Sequence, residues 1–406
     1  MAVPGDLTGA IGKYFEWMRP ANMRHMIPER CSGCYGLDME ATRSEPDGLG
    51  ASADRRSLVL VREAKGWTQR DLAGQAQVNQ STISKAENGL TELKGQTLQA
   101  VADALECPVA LLTNPAPRSA LDVSCLHHRR RASRLTATAK NKIGAVAHLS
   151  RLSVENLLAG YYDMPVLVPR VAELDPPDPV TMAAQVRDRL GVAPGPVPNL
   201  VASLEAAGVV VFERPLGSTA QDAVSSWPHG PGQLPLLIVN SGLSGDRQRF
   251  TIAHELGHVV MHRLPGEDQE AQADLFAASL LAPPEEIRPA LTVLTTAQFR
   301  RLIELKPVWG MSVAALVRRA YDLDEISDRQ YREFQLRLTN LGWKTSEPVD
   351  IPAEHPTTLR AVLERRLAAG ESVADMARTA LMTEHSFRRY FPIPSRPGAL
   401  TAQNGG

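Results

Sequence analysis

Between Ser57 and Thr113, apolar side chains recur at helical spacing in short runs separated by turn residues. Leu58, Val61 and Ala64 share one face and stop at Gly66, which predicts a first helix. Thr68 with Asp71 three positions on has the form of a helix-starting cap, so a second helix begins at Gln69. A break over 77–79 leads into a third short helix from Gln80, and a helix over 97–105 closes the unit, taken as 51–115. Residues 116–179 read as a connector, basic at first and Pro-rich from Pro165 to Pro179. In the next unit, 180–323, residues 209–214 and 234–240 are β-branched-rich runs flanked by Gly or Pro, which predicts strands, and helical periodicity then returns. Residues 324–391 read as a helical extension. Residues 1–50 and 392–406 have the composition of a flexible leader and a disordered tail. The pattern predicts a mainly α protein with one small β-sheet (α+β) and an all-α N-terminal domain.

Composition narrows this picture. The 406 residues carry 44 basic against 45 acidic side chains, which excludes a uniformly basic nucleic-acid coat. No apolar run reaches the roughly 18 residues that a membrane span needs, and no secretory signal is expected at the N-terminus. Four cysteines (Cys31, Cys34, Cys107 and Cys125) argue against a disulfide-built fold and fit a reducing cytoplasm. Cys31 and Cys34, with His25 nearby, lack the second ligand pair of a zinc knuckle and read as free thiols.

The segment 68–87 pairs two short helices across a three-residue turn, the geometry in which the second helix enters a DNA major groove. Leu72, Ala73, Val78 and Ile83 are spaced to pack the helices together. Gln80, Ser81, Thr82, Ser84 and Lys85 then face outward, with side chains suited to base edges and phosphates. Gln69, at a helix N-terminus, is placed for a phosphate contact. Trp67-Thr68-Gln69, Leu72-Ala73, Ser81-Thr82-Ile83-Ser84 and Glu87-Asn88-Gly89 together make this stretch similar to the phage-repressor, or Xre-type, DNA-binding domain. From Asp54 to Glu106 seven basic residues face seven acidic ones. The adjoining connector is therefore expected to supply the field that attracts phosphates. A helical adaptor that touches no DNA is the competing reading.

A second constellation is His254-Glu255-Leu256-Gly257-His258. Histidines four apart share one helix face and can present imidazole nitrogens to one metal, while Glu255 can reach a water without being a ligand. Catalytic zinc takes three protein ligands and keeps an open position. Glu270, opening the next helical run, is the expected third ligand, with Glu267 and Asp268 as rivals. Asp274 would accept a hydrogen bond from the second ring nitrogen of a ligand histidine. His262 reads as a neighbour rather than a fourth ligand, and His229 is a loose candidate for oxyanion stabilisation. Zinc lowers the pKa of bound water to about 7, so Glu255 is the expected general base.

The run Arg249 to His258, then Glu270-x-x-Ala273-Asp274-x-Phe276-Ala277-Ala278 and Leu280-Leu281-x-Pro283, resembles the ImmA/IrrE family of metallopeptidases. The resemblance implies one zinc per chain, a gluzincin-like fold, and cleavage of Xre-type repressors. It also implies an edge strand that aligns peptide substrate, here 223–228 with Val224, Ser225 and Ser226. Fusion to an Xre domain implies a bacterial cytoplasmic transcription regulator acting on a double-stranded operator, with a homodimer reading half-sites about 34 Å apart. Two competing readings remain: a DNA-binding regulator whose peptidase-like domain senses or binds without cleaving, and a toxin–antitoxin or phage-immunity component acting by protein contacts. Residues 296–343 read as a helical extension of the peptidase, with a second DNA-reading helix pair as the alternative.

Overall fold

The computed structural model describes residues 51–115, 136–171, 178–218, 221–227, 233–262 and 268–393. The predicted leader, the predicted tail beyond residue 393, Cys31, Cys34, Cys125, His229, Glu267 and the connector arginines 118–134 lie outside these residues.

Helices α1 (Arg55–Lys65), α2 (Gln69–Gln75), α3 (Gln80–Glu87), α4 (Gly95–Leu105) and α5 (Val109–Thr113) form the first unit. They close on Leu58, Leu72, Ile83, Leu98, Val101 and Leu112, each at most 1% exposed. Thr68 and Asp71 make a reciprocal capping box at the start of α2. Gly66 ends α1 at φ 73°, a left-handed conformation that costs glycine nothing. The five-residue α5 is too short for periodicity to have announced it.

The connector reading needs correcting over its second half. Ala137–Leu158 is a 22-residue helix, α6, capped by Thr136. Its apolar residues occupy two faces rather than one, so no single stripe stands out. Leu149 and Leu152 pack on the α1–α5 core, while Ile143, Val146, Val154 and Leu157 join a second core. Lys140, Lys142 and Arg151, read as linker charge, ride on this helix. Residues 163–171 are irregular, as expected of a Pro-rich stretch.

Helices α7 (Pro179–Arg189) and α8 (Leu200–Ala206) precede a three-stranded sheet of β1 (Val210–Glu213), β2 (Ala223–Ser226) and β3 (Leu236–Val239). The order is β1-β3-β2, with β1 parallel and β2 antiparallel to β3. Both faces are covered, which is why β1 and β3 are near-continuous apolar runs. Val209, Val211, Ala223, Leu237 and Val239 face one core. Val210, Phe212, Val224, Leu236 and Ile238 face the other, shared with α6.

The first of these cores is built on α9 (Gly245–Met261) and α10 (Gln269–Leu281), followed by α11 (Pro284–Leu291), α12 (Phe299–Trp309), α13 (Val313–Asp322) and α14 (Asp328–Asn340). Leu302, Leu316, Val317, Phe334 and Leu338 are fully buried in it, so 296–343 pack as part of the same body as α9 and α10. The predicted extension 324–391 therefore divides. Its first helix, α14, belongs to this core, whereas α15 (Thr358–Ala368), α16 (Val373–Thr379) and α17 (Glu384–Tyr390) pack with α6 on the far side of the sheet. Glu354, in the intervening segment, ties the two together through Arg249 and the Val201 amide. Among the described residues, no helix is long and apolar enough to cross a membrane.

Candidate metal centre and DNA-reading surface

Helix α9 is buried along nearly its whole length, and His254, Glu255 and His258 are 0% exposed. Gly257 makes room for α10: a Cβ there would sit 2.9 Å from the Phe276 ring and 3.4 Å from the Ala273 Cα. That close approach carries Glu270, on the first turn of α10, to the two histidines.

The His254 and His258 Nε2 atoms are 3.0 Å apart, and Glu270 Oε1 lies 3.9 and 3.3 Å from them, respectively. Donors bound to zinc at 2.0–2.1 Å in tetrahedral geometry are spaced by about 3.3 Å, so this set fits a single ion after side-chain shifts of a fraction of an ångström. Of the two rivals for Glu270, Asp268 precedes α10 and is exposed. His254, His258 and Glu270 are the described group whose ligand atoms converge within 4.8 Å.

Hydrogen bonds set the tautomers. His254 Nδ1–H donates to Asp274 Oδ1 at 2.8 Å, leaving Nε2 as the lone-pair nitrogen. His258 is oriented by a longer chain that sequence reasoning missed. Its Nδ1 lies 2.9 Å from His262 Nδ1, and His262 Nε2 lies 2.9 Å from Gln272 Oε1. The glutamine oxygen only accepts, so His262 carries its proton on Nε2 and accepts from His258 Nδ1–H. His258 Nε2 then also faces the cluster as a lone pair. Burial pushes the His262 pKa down to about 4, against the opposing pull of Gln272, which keeps the ring neutral as this chain requires. His262 stands four residues beyond His258, and that spacing was the available signal.

Glu255 is held from the sheet. Ser225 Oγ–H donates to Glu255 Oε2 at 2.8 Å. Ser225 thus has a contact beyond the strand role expected of it. Strand β2, carrying Val224, Ser225 and Ser226, does lie at an edge of the sheet, but all four of its residues are buried. At its end, Arg151 on α6 donates through Nε to Ser226 Oγ at 3.0 Å and through Nη2 to the Ser226 carbonyl.

In the first unit, Gln80, Ser81 and Lys85 are exposed on α3, and Thr82 and Ser84 are half-buried beside them. Gln69 is engaged rather than free. Its amide donates to Glu87 Oε2 at 2.8 Å, and its oxygen accepts from Gln80 Nε2 at 3.2 Å. Arg62 clamps Glu87 with two nitrogens, at 2.6 and 3.0 Å, and donates to the Trp67 carbonyl at 2.7 Å. The two glutamines therefore project from a braced α2–α3 corner.

Comparison with known families agrees with both constellations. A model described as a helix-turn-helix matches residues 59–112, and a peptidase M78 model described as an IrrE N-terminal-like domain matches 204–321. The comparison with curated proteins finds no match. The chain thus joins an Xre-type helix-turn-helix domain, which implies DNA binding, to an IrrE/ImmA-like peptidase domain.

Proposed function

We propose that the chain is a DNA-binding transcription regulator whose second domain is a zinc-dependent endopeptidase acting on a repressor-type protein, its own chain included. The observation that carries this reading is the convergence of His254, His258 and Glu270 beside the non-ligand acid Glu255. The two histidines would hold zinc through Nε2 and Glu270 through its carboxylate; when bound there, zinc would polarise a peptide carbonyl and acidify water. Glu255, steadied by Ser225 Oγ–H, would take a proton from the attacking water onto its carboxylate and deliver it to the departing amine nitrogen. Asp274, His262 and Gln272 would act through the ligand rings by fixing their tautomers.

One observation favours a second reading, a regulator that senses or binds without cleaving. Strand β2, expected to align substrate, is wholly buried, and its last carbonyl is already engaged by Arg151. The test is incubation of the zinc-loaded full chain, alone and with Xre-type repressors, followed by mass spectrometry of the products. Cleavage of a repressor or of the chain itself, absent in Glu255→Gln, supports the peptidase. Intact proteins throughout support the second reading.

A further inference from the structure

The turn that defines the first helix-turn-helix occurs twice in this chain. Helices α15–α17 follow α1–α3 position by position without a gap, with Gly370 in the place of Gly66. Arg62 and Arg366, Asp71 and Asp375, Ala73 and Ala377, and Ala76 and Ala380 are identical pairs in this alignment. The backbone repeats as closely. Gly66 and Gly370 are both left-handed, and Gln77 and Leu381, at the turn between the second and third helices, share a φ of 54°. Positive φ is uncommon outside glycine, so its recurrence at a bulky leucine marks an imposed turn geometry.

The hydrogen bonds agree. The amides of Ala76, Gln77 and Val78 donate to Leu72, Gly74 and Ala73 at 2.9, 3.3 and 3.0 Å. Those of Ala380, Leu381 and Met382 donate to Met376, Arg378 and Ala377 at 2.9, 3.0 and 2.9 Å. The capping box of Thr68 and Asp71 returns as Ser372 and Asp375. Leu72, Ala73 and Ile83 are matched in burial by Met376, Ala377 and Phe387, all at most 4% exposed.

We infer that residues 358–391 form a second helix-turn-helix whose last helix, α17, reads duplex DNA. The positions of Gln80, Ser81, Ser84 and Lys85 are taken by Glu384, His385, Arg388 and Arg389, all exposed. Arginine is the side chain best suited to guanine edges and phosphates. Residues 358–391 hold six arginines against four carboxylates, a more favourable balance for phosphate than the even one of the first unit. Arg388 is paired with Glu384 at 2.6 Å, which holds the guanidinium at the surface. Among the described residues, no counterparts of α4 and α5 follow the motif. Its core is closed instead by α6 and the sheet, with Phe212 stacked on Phe391 and Phe391 on Phe387 at 5.0 and 4.8 Å. The reading helix is therefore mounted on the rigid body of the domain. The inference is independent of the peptidase reading.

The test uses the full chain and selection from a random-sequence duplex pool. Four forms are compared: the unsubstituted chain, Gln80→Ala with Lys85→Ala, Arg388→Ala with Arg389→Ala, and all four substitutions together. The Gln80→Ala/Lys85→Ala chain is expected to enrich a duplex motif of its own. Adding the two arginine substitutions should weaken binding to that duplex at least 10-fold and lower the salt slope of log K by about 2. Both arginines are exposed, so an unchanged thermal melt by circular dichroism excludes misfolding as the cause. If the Gln80→Ala/Lys85→Ala chain binds duplexes no better than the fourfold variant, the inference is overturned and the α17 face is left for a protein partner. In that event, enrichment by the Arg388→Ala/Arg389→Ala chain shows that the first reader stands alone. Enrichment by none of the forms, the unsubstituted chain included, overturns both readers.

Discussion

Gly257 lies so close to Phe276 that a Cβ on the glycine would fall 2.9 Å from the ring, with the Ala273 Cα 3.4 Å away. This contact sets the distance between α9 and α10, and so the distance from the histidines to Glu270. Gly257→Val is expected to destabilise the fold by about 1–3 kcal/mol through overpacking, measured by urea unfolding. It should also weaken zinc binding, because α10 can relieve the clash only by carrying Glu270 away. A valine variant with unchanged zinc affinity would show that the spacing does not position the third ligand.

The ring nitrogens facing away from the cluster give a graded prediction. Asp274→Ala removes the acceptor for His254 Nδ1–H, and Gln272→Leu removes the group that fixes His262 and, through it, His258. Each is expected to raise the zinc dissociation constant about 10–100-fold, read by competition with a chromogenic chelator. Equal affinities in both variants and the parent would contradict the tautomer assignment.

What the sequence made legible, and what it hid, follows the range of the interactions. The Thr68–Asp71 box and the His254/His258 pair are local, fixed within one turn of helix, and could be read directly. Glu270 and Asp274 could be placed because α10 announces its start and its own i, i+4 spacing. Helix α6 was read as linker because it buries Leu149 and Leu152 on one side and Ile143 and Leu157 on the other. Its charged residues therefore masked a pattern that needs two partners to make sense. The contact of Ser225 with Glu255 joins a strand to a helix 30 residues on and has no sequence signal. The second helix-turn-helix escaped notice because Val373, Met376 and Phe387 share the first motif's burial pattern without its residue types.

A buried charge cluster outside the site contributes to the pH dependence of stability. Lys306 Nζ lies 2.7 Å from both Asp246 Oδ2 and Glu347 Oε2, with all three side chains at most 8% exposed. Burial would raise the Asp246 pKa, but Lys306, the Ser244 hydroxyl and the Arg247 amide together hold it below 3.8. Burial would lower that of Lys306, yet its two carboxylates lift it above 10.5. A carboxyl group with a depressed folded value favours folding above its unfolded pKa, and that contribution is lost as pH falls through the folded value. A raised lysine favours folding below its unfolded pKa and loses the contribution as pH rises through the folded value. Lys306→Met leaves two buried carboxylates without their cation and is expected to cost about 3–5 kcal/mol near neutral pH. In urea unfolding the deficit should shrink on acidification, as the Asp246 carboxylate left without its cation protonates. A deficit that grows on acidification would contradict the assignment.

The braced glutamines of the first unit carry a separate expectation. Gln80→Ala with Lys85→Ala should weaken the gel shift on the operator selected by the unsubstituted chain at least 10-fold, while bound zinc stays unchanged. Gln69→Ala should weaken it less, since it removes only the brace on Gln80. A shift unaffected by the double substitution would exclude α3 as the element that reads this operator.

Elemental analysis of the purified full chain, in parallel with His258→Ala and Glu255→Gln, tests the metal centre most directly. One zinc per chain is predicted for the unsubstituted protein and for Glu255→Gln, and close to none for His258→Ala. Absence of zinc from the unsubstituted protein even after incubation with the ion, or full retention in His258→Ala, would contradict it.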